Sequence, residues 1–130
     1  MLIGIGLRLK NSADAVRTYI SAFGLELGYH VLNDDGTYFH SELLYRGKEA
    51  LSVVEWDGDR GVNSVQLGFT FDMREALEHA FSVLKEGGSV TLDICELPWS
   101  PCAAEVTDRY GVNWYLTLTQ HRPPDDFKPE

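Results

Sequence analysis

The sequence predicts an α+β protein built from two βαβββ modules. Three observations lead there. Two segments almost half a chain apart share the same helix-start chemistry: Asn11 with Asp14 three residues on, and Asp72 with Glu75 three residues on. Each is followed by an apolar stripe at helical spacing: Val16, Tyr19, Ile20 and Phe23 in the first, Leu77, Ala80, Phe81 and Leu84 in the second. Each is preceded by a short alternating strand and followed by three strand-like runs. A repeat of this length decides the architecture before any single residue does.

In residues 2–10, Ile3, Ile5, Leu7 and Leu9 face one way and Gly4, Gly6, Arg8 and Lys10 the other, the period of a strand with one apolar face. A helix is expected over 12–23, ending at Gly24, a residue free to turn left-handed. Residues 25–32 and 37–45 read as strands joined by the turn Asn33-Asp34-Asp35-Gly36. The turn Arg46-Gly47-Lys48 leads to a strand over 50–56. The first module spans 1–56, and the polar, glycine-bearing segment 57–63 reads as a linker.

The second module spans 64–119. It has a strand at 64–71 with Val65, Leu67, Phe69 and Phe71 on its apolar face, and a helix at 72–86 closed by Gly87-Gly88. A strand at 89–96 is followed by a proline-held loop at 97–102, a short strand at 103–108, the turn Arg109-Tyr110-Gly111 and a last strand at 112–119. The tail, 120–130, carries three prolines and three acids and is expected to be poorly ordered or to lie on a partner. The helices match at an offset of 61 and the strand parities at 60, which predicts one extra residue at the second strand-to-helix junction.

Composition narrows the function classes. With 130 residues, 44% of them hydrophobic, the chain can build a core without disulfides. A formal net charge of −9 argues against a nucleic-acid partner, which would require a basic face. No apolar run reaches the length of a membrane span, and the first residues lack the features of a signal peptide, so no membrane partner and a cytoplasmic location are expected. Cys95 and Cys102 fit neither a CxxC redox pair nor a common zinc spacing and read as free thiols, the alternative being a nucleophilic Cys102 beside Trp99.

Several stretches resemble the vicinal oxygen chelate superfamily, the fold of glyoxalase I and bleomycin-resistance proteins, and within it the PhnB-like branch. "VRTYISAFGLEL" is similar to the end of that branch's first helix, and "FHSEL" at 39–43 to its His-x-Glu-Leu strand. "LPWSPCAAEVTDRYGVNWYL" resembles its tryptophan loop, followed by a Thr-Asp-Pro-Phe-Gly turn and a tryptophan-bearing strand. The turn here is Asp108-Arg109-Tyr110-Gly111, without the proline, and the glycine after the loop tryptophan is Ser100. The resemblance implies two modules forming a curved mixed sheet around a cavity that takes a small-molecule ligand, in a homodimer.

The resemblance also raises the question of a metal. Metal-dependent relatives place ligands on the first and last strands of each module, and those positions align here with Gly4, Ser64, Ser52 and Tyr115. None is a good ligand, so no metal and no cofactor are expected. Tyr38, His40, Glu42 and Leu44 share one face of the third strand, expected to point into the cavity, while Phe39, Leu43 and Tyr45 meet the helix. His40 and Glu42 form a candidate acid/base or ligand-bonding pair, the alternative being a solvated or structural pair. Trp56 and Tyr115 fall at cavity-facing parity, where they would line a ligand or fill core. Trp99 is expected either as a wall of the cavity or as packing under its loop or against a second subunit. The leading reading is metal-free ligand binding; the second is an enzyme of lyase, isomerase or dioxygenase type using His40 and Glu42.

Overall fold

The structure, a computed structural model, describes residues 4–58 and 65–119. The expected tail, most of the expected linker, Ser64 and His121 therefore lie outside the described residues. The chain divides into two units, Met1–Val62 and Asn63–Glu130.

The first unit runs β1 (Gly6–Leu9), α1 (Ser12–Phe23), β2 (Glu26–Leu32), β3 (Tyr38–Tyr45) and β4 (Lys48–Glu55). Its sheet has the order β1-β4-β3-β2, with β1 parallel to β4 and the other pairs antiparallel. The apolar stripe of α1 is the reason it docks: α1 packs on β3 and β4, burying Ala15, Val16, Tyr19 and Phe23 together with Leu43, Leu51 and Val53. Full burial of each large apolar side chain is worth on the order of 2 kcal/mol. The β3–β4 hairpin turns through Arg46 (φ 51°) and Gly47 (φ 81°), the paired positive angles that a two-residue hairpin requires.

The start of α1 differs from the expected cap. Asn11 occupies the N-cap in a left-handed conformation (φ 62°, ψ 46°), and its side chain makes no cap hydrogen bond. The Glu55 carboxylate, at the end of β4, instead accepts from the amides of Asn11 (3.2 Å) and Ser12 (2.8 Å). An anion at the positive end of a helix performs the same task as a side-chain cap. Asp14 pairs with Arg17 at 3.6 Å. At the other end Gly24 turns left-handed (φ 67°) and its N–H donates to the Ile20 carbonyl, as expected.

The second unit runs β5 (Gln66–Thr70), α2 (Arg74–Leu84), β6 (Ser89–Leu97), β7 (Ser100–Thr107) and β8 (Asn113–Thr117), in the sheet order β5-β8-β7-β6. Leu77, Ala80, Phe81 and Leu84 are the buried positions of α2, which packs on β7 and β8 over Val106, Trp114 and Leu116. Its N-cap is Met73 rather than Asp72, and the helix is shorter than expected at both ends. Gly88 is needed for space: a Cβ there would lie 2.3 Å from the Thr107 carbonyl oxygen. The expected loop at 97–102 is a two-residue turn, Pro98-Trp99, because Leu97 and Ser100 already pair across β6 and β7. Pro101 sits where the register shifts between the Cys95 and Leu97 pairings, a place where a strand tolerates proline.

The turn after β7 forms without a proline. Gly111 (φ 91°) donates to the Asp108 carbonyl at 3.0 Å. The buried Asp108 carboxylate accepts from the amides of Tyr110 (2.9 Å) and Val112 (3.0 Å) and from Trp114 Nε1 (2.8 Å).

The two units repeat at an offset of 62 from first strand to helix start (6 to 68, 11 to 73) and of 63 in the later strands (52 to 115, 42 to 105). Gly6 pairs with Ser52 and Ser52 with Glu42; Gly68 pairs with Tyr115 and Tyr115 with Glu105. Gly6 and Asn11 thus stand in the first unit as Gly68 and Met73 stand in the second. The extra junction residue expected from the sequence is absent, because the second helix starts one residue later than its acidic start signal. Face parity is unchanged, but the first-strand positions beside Ser52 and Tyr115 become Gly6 and Gly68 in place of Gly4 and Ser64.

Candidate functional site

Each sheet has one face under its helix and one open face. In the first unit the alternation of β3 buries Ser41 and Leu43 completely and leaves His40, Glu42 and Leu44 half-buried on the open face. Helix cover stops short of Phe39, which is 56% exposed rather than packed on the helix as expected. His40 Nε2 and Glu42 Oε2 lie 2.9 Å apart, with side chains 38% and 30% exposed. The Tyr29 ring lies 5.9 Å from the imidazole. On the β1 side, the Arg8 guanidinium sits 5.0 Å from the Trp56 ring centroid, a cation–π contact. Ser52 occupies the row between Gly6 and Glu42. The face thus offers a bonded imidazole–carboxylate pair, a hydroxyl and aromatic surface.

In the second unit Trp99 Nε1 donates to Tyr115 Oη at 2.6 Å, so the turn tryptophan and the last-strand tyrosine form one element. Beside them Gln66 Nε2 donates to Glu105 Oε1, also at 2.6 Å. Thr70 and Thr117 share a 3.1 Å hydroxyl contact on the same face. The structure therefore joins His40 to Glu42 and Trp99 to Tyr115, and sets Trp56 against Arg8. The sequence alone assigned no site role to Gln66, Glu105 or Arg8. The parity that placed Tyr115 on the open face also places Glu105 there, since the two are cross-strand partners.

The row across each sheet holds Gly6, Ser52 and Glu42 in the first unit and Gly68, Tyr115 and Glu105 in the second, a single hydroxyl and a single carboxylate in each. Among the described residues no group of three or more His, Cys, Asp or Glu side chains is arranged to hold a metal. Cys102 is fully buried, and loss of solvation is the largest cause raising its thiol pKa, which argues against the nucleophile reading. Both cysteines are free thiols.

No protein-family model matches the sequence, and no curated protein matches it significantly. Solved structures do match. The PhnB protein of Bacillus cereus shares 23% identity, covering 92% of this chain and 100% of its own, with a TM-score of 0.78. Protein PA1353 of Pseudomonas aeruginosa shares 22% identity over 93% of this chain and 99% of its own, again with a TM-score of 0.78. The fosfomycin resistance protein FosX of Listeria monocytogenes, solved with Mn(II) and sulfate, shares 14% identity over 92% of this chain and 90% of its own, with a TM-score of 0.68. A glyoxalase/bleomycin resistance protein/dioxygenase domain from Frankia is a further neighbour. With its two βαβββ units and these neighbours, the chain has the glyoxalase/bleomycin-resistance fold.

Proposed function

We propose that the protein binds a small organic molecule without a resident metal. His40, Glu42 and Trp56 form one candidate contact surface, on the open face of the first unit, and Trp99 and Tyr115 a separate one, on that of the second. The observation that carries this reading is the 2.9 Å His40–Glu42 pair, half-buried on a face the helix leaves open, with the Tyr29 ring beside the imidazole. Such a pair orients a polar ligand group while the rings supply apolar contact. A net charge of −9 favours neutral or cationic ligands over anions. A cytoplasmic homodimer is part of this reading, and the mass in solution tests the oligomer.

A second reading follows from the same hydrogen bond. An imidazole held against a carboxylate can take a proton from a bound substrate, with Glu42 fixing the ring orientation. Metal analysis of untagged protein, divalent-metal titration and a tryptophan-fluorescence ligand screen, each on wild type and His40→Ala, separate the possibilities. Ligand binding without stoichiometric metal, weakened in His40→Ala, is the expected result. Tightly bound metal that is lost in His40→Ala would overturn the metal-free reading.

A further inference from the structure

The open face of the second unit has two hydrogen-bonded pairs whose valences are only partly used. Tyr115 Oη accepts from the Trp99 indole, so its own O–H is turned away from that donor. Glu105 Oε1 accepts from Gln66, leaving Oε2 without a protein donor among the described residues. Tyr115 and Glu105 are direct cross-strand partners, an arrangement that sets Cβ atoms about 5 Å apart on one face. On the other side of Tyr115 lies Gly68, where even a Cβ would meet nothing nearer than 4.0 Å. One donor and one acceptor thus stand side by side with open space next to them and the Trp99 ring as a neighbour.

We propose that this pair receives a carboxamide-type group of the ligand, its carbonyl accepting from Tyr115 Oη–H and its N–H donating to Glu105 Oε2. The inference rests on the reading of the open faces as ligand surfaces and names the chemistry for the second unit. A carboxylate ligand brings no donor and meets the Glu105 charge. An ammonium ligand satisfies Glu105 but leaves the tyrosine proton unmatched. An amide or lactam satisfies both groups, and a site that pairs a donor with an acceptor favours the ligand that complements both.

The test uses the three tryptophans as separate reporters in the full-length, ¹⁵N-labelled protein. Benzamide, benzoate and benzylamine, alike in their ring, are titrated while the indole N–H resonances are followed. Benzamide is expected to shift the Trp99 indole saturably and to leave Trp114, held by Asp108 under the helix, unmoved. Glu105→Gln and Tyr115→Phe should each weaken binding about tenfold. Both are close in shape to the native residue, and an unmoved Trp114 resonance certifies the fold. Should one variant fail to fold, the other carries the test. Benzoate or benzylamine shifting Trp99 as strongly as benzamide would overturn the inference, as would full-strength binding in either folded variant. If Trp56 responds and Trp99 does not, the inference falls and the small-molecule reading stands; if neither responds to any compound, both fall.

Discussion

Replacing Glu55 with alanine tests how the first helix is started. The substitution removes the acceptor of two amide hydrogen bonds, at 3.2 and 2.8 Å, and leaves Asn11 and Ser12 with uncompensated donors at the positive end of α1. Hydrogen bonds to a charged group contribute roughly 1.5–3 kcal/mol, and the more exposed of these two counts for less. A helix cap by itself is worth about 0.5–2 kcal/mol. Glu55→Ala should therefore cost about 2 kcal/mol, a fall in Tm of roughly 6–10 °C for a chain of this size. Urea denaturation followed by circular dichroism measures it, with an unchanged m-value expected. Asn11→Gly is the companion: the Asn11 side chain makes no cap bond and its φ of 62° suits glycine, so this change should stay within about 0.5 kcal/mol of wild type. A loss below about 0.5 kcal/mol in Glu55→Ala, or a larger loss in Asn11→Gly than in Glu55→Ala, would refute the cap assignment.

Asp108→Asn places an NH₂ among three donors and should destabilise the protein by about 2–4 kcal/mol in a urea titration read on tryptophan fluorescence. In the native protein only the half-buried Cys95 should react rapidly with a thiol reagent, and Cys102 should react only after unfolding. Because burial raises the Cys102 pKa, the folded state keeps a proton that the unfolded chain releases above about pH 8.5. That contribution to stability is complete below the unfolded thiol's pKa and is lost as pH rises through the folded one, so Cys102→Ala should flatten the alkaline decline seen in denaturation curves. The Asp35 carboxyl accepts from the Thr37 hydroxyl and amide, and these bonds hold its pKa below the usual aspartate value. An NMR titration should place its midpoint below 3.8, and Thr37→Ala should move it upward.

What could be read from the sequence was whatever depends on neighbours along the chain. The bounds of α1 followed from its stripe and Gly24, and the His40–Glu42 contact followed from the period of two that sets residues i and i+2 on one face. Bonds between distant residues could not be read in this way. Glu55 caps a helix 43 residues earlier, Gln66 meets Glu105 across 39 positions, and Trp99 meets Tyr115 across 16. Each depends on strand register, which periodicity leaves open. Local signals also misled where tertiary pairing overrode them: Asp72 offered a cap one residue before the one used, and Pro101 suggested a loop where a shifted register absorbs it.

The cap supplied by Glu55 also bears on how the chain becomes ordered as it is made. When Ser12, at the start of α1, has been added, the carboxylate that satisfies its amide is still 43 residues from being made. A 12-residue helix without that anion is marginal in water, so the nascent segment should remain mostly unwound until β4 is in place. A truncation ending before residue 55 should therefore lose the first helix along with the last strand. The first unit should acquire its helix and its sheet in one step, its only helix completed by its last strand.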